Sequence, residues 1–171
     1  YLLSRLDIKT TPIGAEIIPG LELYGCYTRE EVFTLVGRQT AEVKMQGTAS
    51  GAFNLPEHNA VLLFVTLNKS EKDFSPSTQY NDYLINDEYF HWQSKNTDSH
   101  YNSGGRKYIE QPKTGIKIIL FVREEKKDGF GNTSPFHCFG LVDYVSSHDD
   151  FPMNVKWKLQ KPAMAQYLKA I

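Results

Sequence analysis

The spacing of apolar positions changes character once, near Gly37. In "YTREEVFTLVG", Val32, Leu35 and Val36 fall on one side of a helix. Thr28 with Glu31 three residues on makes a capping box, and Gly37 is a stop signal. The pattern predicts one short amphipathic helix. Beyond it the period is that of strands. "AEVKMQG" (Ala41 to Gly47) alternates, while "AVLLFVTL" (Ala60 to Leu67) is a continuous run suited to a strand buried on both faces. "YFHWQS", "RKYIEQ", "IKIILFVREEKK", "FHCFGLVDYVSSH" and "MNVKWKLQ" read as further strands, and "PAMAQYLKAI" as a closing helical turn or two. Gly104-Gly105, Asp128-Gly129, Gly131-Asn132 and Ser134-Pro135 mark turns between them. Residues 1–20 carry Pro12 and Pro19 without periodicity and read as an arm or linker. The expected fold is mainly β (α+β): a curved, partly closed antiparallel β-barrel over residues 21–171, with one short N-terminal-side helix and a short C-terminal helix.

Composition narrows the class. A chain of 171 residues, 40% hydrophobic and 23% charged, is long enough for one globular core and too apolar for wholesale disorder. An aromatic share of 13% fits a β-rich domain. The net charge of -1 offers no global basic field, so any nucleic-acid binding must use a local patch. Cys26 and Cys138 stand far apart without a Cys/His cluster, so no structural zinc is expected and reduced thiols in the cytoplasm are the default. No apolar run reaches membrane-spanning length. The chain opens on Tyr1 rather than Met, which suggests a piece of a larger polypeptide.

The sequence offers no catalytic constellation. Its five histidines show no metal-ligand spacing, and there is neither a nucleophile elbow nor a phosphate-cradling glycine loop. Asp149 and Asp150 beside His148 read as a solvated turn rather than a metal cluster. The expectation is therefore a binding module, without metal or cofactor of its own.

The informative region runs from Asn68 to Tyr108. The connection between Asn68 and Asp87 is long, and ordered loops of that length usually carry function. Phe74, Tyr80, Tyr83, Tyr89, Phe90 and Trp92 crowd together there. Along a strand, Phe90 and Trp92 share one face while Tyr89, His91 and Gln93 share the other. Either the first pair enters the core and the polar set meets solvent, or Trp92, or a tyrosine of the preceding loop, forms one wall of a flat pocket. Flat walls with hydrogen-bonding groups at the edge are what an extruded nucleobase requires. The exocyclic amine of a cytosine would suit an acceptor such as Asp82. Lys69, Lys95, Arg106 and Lys107, interleaved with Ser77 and Thr78, are candidate contacts to the DNA backbone, and Gly104-Gly105 would admit a phosphodiester closely. For any single lysine, plain solvent exposure competes with that reading.

The ordered blocks "TLNKSEKDFSPSTQY", "FHWQS", "LFVRE" and "PMNVKWKL" resemble the DUF3427 family from about Leu23 almost to the end of the chain. The resemblance implies a C-terminal SRA/PUA-like module of large bacterial, cytoplasmic proteins that join a phospholipase-D-type nuclease to a superfamily 2 helicase, acting as type IV, modification-dependent restriction enzymes. ATP and Mg would serve those upstream domains and no cofactor this one. The implied base pocket matches Tyr80, Tyr83 and Trp92 as rings, with Phe74 beside them, Asp82 for the amine edge, and Asn68 or Gln93 in support.

Two functions follow as expectations. The first is a specificity module that flips 5-methylcytosine or 5-hydroxymethylcytosine out of double-stranded DNA. The second is a non-catalytic interaction domain that docks on the upstream helicase and nuclease or mediates homodimerisation.

Overall fold

A computed structural model describes residues 11–12, 18–40, 51–69 and 81–169. The alternating 41–47 stretch and the candidate residues Phe74, Ser77, Thr78 and Tyr80 lie outside the described residues. Ten strands are described: β1 (Thr11–Pro12), β2 (Glu22–Leu23), β3 (Cys26–Tyr27), β4 (Ala52–Leu55), β5 (Ala60–Asn68), β6 (Tyr83–Leu84), β7 (Tyr89–Gln93), β8 (Lys117–Glu125), β9 (Phe136–His148) and β10 (Asn154–Leu159). Three short helices accompany them: α1 (Arg29–Leu35), α2 (Ser103–Ile109) and α3 (Gln111–Thr114).

Helix α1 forms as the sequence predicts. Thr28 Oγ1 accepts from the Glu31 backbone N–H at 3.1 Å, and Gly37 closes the C-terminal side at φ +77°. The chain is mainly β, but its sheet differs from the expected barrel. It is an eight-stranded mixed sheet in the order β4-β5-β8-β9-β10-β7-β6, with β3 added to β9. It is not closed. β5 and β8 run parallel, Ala60 opposite Lys117 through Asn68 opposite Glu125. Both strands are apolar on both faces, which is how parallel pairs with two covered faces read. Periodicity reports burial and is silent on direction, so the parallel pairing was invisible in the sequence.

"RKYIEQ" is helical, not a strand. Asn102 caps α2 by accepting from the Gly105 N–H at 3.1 Å, Pro112 stands in the first turn of α3, and Gly115 ends it at φ +70°. Burial explains the glycine pair. A Cβ on Gly105 would run into the Ser99 carbonyl and the Met153 sulfur, and one on Gly104 into the Asp98 carboxyl. The close backbone approach read as room for a phosphodiester is thus used by the chain itself. At the C-terminal end the helix shrinks to one 3₁₀ turn, Ala165–Tyr167.

The sheet buries both faces. On one, Val61, Leu63, Val65, Ile118, Leu120, Val122, Phe90, Trp92, Val155 and Trp157 pack with Tyr108 of α2. On the other, Leu62, Phe64, Ile119 and Phe121 pack under α1 through Val32 and Phe33. Among the described residues no helix is long and apolar enough to cross a membrane.

Candidate nucleic-acid interface

The residue after β5 and the residue before β6 meet in a buried ion pair. Lys69 Nζ donates to Asp82 Oδ2 at 2.9 Å, with side chains only 9% and 5% exposed. The other oxygen, Asp82 Oδ1, accepts from the Gln93 backbone N–H at 2.8 Å. Burial pushes the Asp82 carboxyl above the usual carboxylate range, opposed by the Lys69 ammonium and the Gln93 N–H. The two flanks of residues 70–80 are therefore tied together, and Asp82 is already engaged at both oxygens.

From this corner a strip of side chains crosses the face of β6, β7 and β10 that turns away from Trp157. The register sets Tyr83 beside His91 and His91 beside Lys156, with Tyr89 opposite Lys158 and Gln93 opposite Asn154. Tyr83 stacks on His91 with ring centroids 4.6 Å apart and planes 14° from parallel, while its own side chain is 44% exposed. Lys156 Nζ lies over the Tyr89 ring at 4.6 Å from the centroid. His91 Nδ1 donates to the Asn81 carbonyl oxygen at 2.9 Å, the Asn81 N–H donates to Gln93 Oε1 at 2.6 Å, and Gln93 Nε2 donates to Asn154 Oδ1 at 3.1 Å. Rings, amides and cations thus share one surface.

The opposite face of the same strands is closed. Trp92 is 4% exposed and meets Tyr108 edge-on at 5.0 Å between centroids. Of the two alternatives for β7, Phe90 and Trp92 enter the core, so Trp92 does not stand beside Tyr83 as a second wall. Asn68 is exposed at the end of β5, opposite Glu125.

The expected phosphate contacts are dispersed. Lys107 Nζ donates to Asn54 Oδ1 at 2.9 Å, and burial lowers its pKa while Asp98 acts to raise it. Arg106 is paired with Glu110 one turn on, at 2.5 Å. Lys95 is exposed. The sequence reading passed over Lys156, Lys158 and Asn154, although the alternation in "NVKWKL" sets them on the face opposite Val155 and Trp157.

A second polar group assembles at the far end of β9. His100 Nδ1 lies 2.8 Å from Asp150 Oδ1, and His100 Nε2 lies 2.8 Å from Ser147 Oγ. The same Asp150 oxygen accepts the His100 backbone N–H at 2.7 Å, and these bonds hold the Asp150 carboxyl below the usual carboxylate range. Tyr144 and Ser147 share a bond of 2.7 Å between hydroxyls. Among the described residues no group of His, Cys, Asp and Glu could hold a metal ion, and Asp149-Asp150 beside His148 makes none.

Fold and surface together describe a mainly β domain with an open mixed sheet and an aromatic, cationic strip. The family model of the domain of unknown function DUF3427 matches residues 21–170, and the chain belongs to that family. No curated protein matches it in sequence.

Proposed function

We propose that this chain is the DNA-recognition module of a modification-dependent restriction enzyme, an SRA-like domain resembling the C-terminal region of the type IV enzyme SauUSI. It reads 5-methylcytosine or 5-hydroxymethylcytosine in duplex DNA, while strand cleavage and ATP hydrolysis belong to nuclease and helicase domains upstream. The observation that carries the reading is the exposed Tyr83 ring, stacked on His91 with the Gln93 and Asn154 side-chain amides on the same strand face. An aromatic face is worth about 1–3 kcal/mol to a stacked base, and edge groups discriminate it. Lys156 and Lys158, on the neighbouring strand, supply the positive charge that a phosphodiester needs close to that ring.

The test is binding to matched duplexes with and without the modified cytosine, at several salt concentrations. Preference for the modified duplex, lost in Tyr83→Ala, supports the reading. Lys156→Ala, on the same face as Tyr83, should weaken both duplexes alike and flatten the salt slope. Equal affinity for the two duplexes overturns modification reading, and a chain indifferent to all DNA leaves the interaction-domain alternative.

A further inference from the structure

The group at the end of β9 has the connectivity of an activated nucleophile, and the sheet itself explains how it is built. In the β9–β10 ladder Lys156 pairs with Ser146 but Trp157 pairs with Tyr144, so Val145 is an extra residue in β9. Without this bulge, residues 144 and 147 would point to opposite faces. With it, Tyr144 and Ser147 stand opposite Trp157 and Val155, on one side of the sheet. Tyr144 packs edge-on against Trp157 at 6.2 Å between centroids. Bulges recur beside active sites because they re-aim side chains in this way.

The turn after β9 supplies the remaining groups. Asp149 and Phe151 both adopt positive φ, +61° and +55°, a conformation non-glycine residues hold only when the surroundings impose it. Here the Phe151 N–H donates to the Asp98 carbonyl at 3.0 Å, the Met153 N–H to Ser94 Oγ at 2.9 Å, and the His100 N–H to Asp150. The carboxylate so fixed accepts a hydrogen bond from the Nδ1–H of His100, which leaves the Nε2 lone pair facing Ser147. The Ser147 hydroxyl donates to Nε2, and Tyr144 donates in turn to Ser147 Oγ. Nucleophile, base and orienting carboxylate are each within hydrogen-bond reach of the next.

Each member is partly open to solvent, with His100 and Asp150 side chains 28% and 30% exposed. Apolar groups adjoin all three in sequence: Tyr101 after His100, Phe151 after Asp150, and the bulged Val145 two residues before Ser147, all exposed. Exposed apolar neighbours in sequence suit an acyl substituent better than a strongly charged one.

We propose that Ser147 is a reactive serine, with His100 as its base and Asp150 orienting the imidazole, that accepts acyl groups from small carboxylic esters. Ser147 Oγ bonds to the ester carbonyl carbon as its proton moves to His100 Nε2. The bond from carbon to the alcohol oxygen breaks, and that proton leaves with the alcohol. Water, deprotonated by His100, then adds to the acyl carbon, the carboxylic acid departs, and Ser147 regains its hydrogen. Water is the co-reactant, and no electrons are exchanged.

The test is covalent labelling of the intact chain by a fluorophosphonate probe, with the adduct located by peptide mass spectrometry. Expected are an adduct on Ser147, its loss in Ser147→Ala, and about a hundredfold slower labelling in His100→Gln, with the fold of each variant checked by near-ultraviolet circular dichroism. Because the relay also ties the turn to β9, Ser147→Cys provides a second readout. Its new thiol should react with iodoacetamide at neutral pH well ahead of Cys26, and adding His100→Gln should remove that advantage. An unlabelled Ser147 in the folded wild-type chain, labelling indifferent to His100→Gln, or a Ser147→Cys thiol no faster than Cys26 overturns the proposal. None of these measurements involves DNA, so they stand or fall apart from the recognition reading.

Discussion

Asp82 and Asp150 are the same residue type, each clasped by a basic side chain, and their environments drive them in opposite directions. Asp82 lies inside the corner between β5 and β6, where loss of water outweighs the Lys69 ammonium and its carboxyl is pushed up. Asp150 lies at the rim, where water remains available and two bonds from His100 pull it down. The contrast teaches that the partner alone does not set the chemistry of a carboxylate; how far it is removed from water decides the sign. The buried pair is a fastening, and the exposed one is in a position to act on a ligand.

The largest effect expected from breaking this contrast is at the corner. Lys69→Ala leaves Asp82 buried without its cation and should cost about 3–5 kcal/mol, read by denaturant unfolding. The loss should be smaller in acid, where Asp82 takes up a proton. A raised carboxyl counts against the fold as pH rises through its folded value, and not below its unfolded one. Next comes the scaffold beneath the rim. Gly105→Ala forces a methyl group against the Ser99 carbonyl and Met153, and should cost about 1–3 kcal/mol or prevent folding, seen as a lowered Tm.

A smaller effect separates the two carboxylates by pH. Asp150→Asn should lower Tm at neutral pH, because a carboxyl held low in the fold stabilises it above the ordinary carboxylate range. That difference should begin to fade as pH falls below about 4, where the unfolded chain takes up the proton, and be gone once pH passes the lower value that the fold gives Asp150. Persistence of the full difference in acid would mean that packing rather than charge ties the turn to His100. The smallest effect belongs to a wholly surface pair. Arg38 meets Glu57 in two bonds of 2.7 and 2.8 Å and holds its carboxyl down to about 2, yet water surrounds both. Arg38→Ala should shift Tm scarcely at all, and less still in high salt.

Legibility in the sequence followed the range of the interaction. The α1 cap, made between Thr28 and Glu31, was readable because three residues separate donor from acceptor. The strands β5, β7, β8, β9 and β10 were readable because period-two alternation and apolar runs report burial directly. α2 was missed because Asn102 as a cap and Gly104-Gly105 as packing residues look the same in sequence as a turn between strands. At the candidate interface, Tyr83, Asp82 and Gln93 were picked out in the sequence and do come together, whereas Trp92 could be sent to the core only once β10 was known to lie beside β7.

By itself the sequence determined which segments are strands and helix α1, which faces are apolar, and that aromatic and polar groups concentrate between Asn68 and Tyr108. The tertiary structure alone decided that β5 and β8 run parallel, that Lys69 closes on Asp82, and that His100 reaches Ser147 and Asp150 across 47 and 50 residues of chain. The reason is physical. Local propensity and periodicity act through neighbours a few residues apart, while the meeting of distant side chains depends on strand order, register and one bulge, which follow from packing the whole sheet at once.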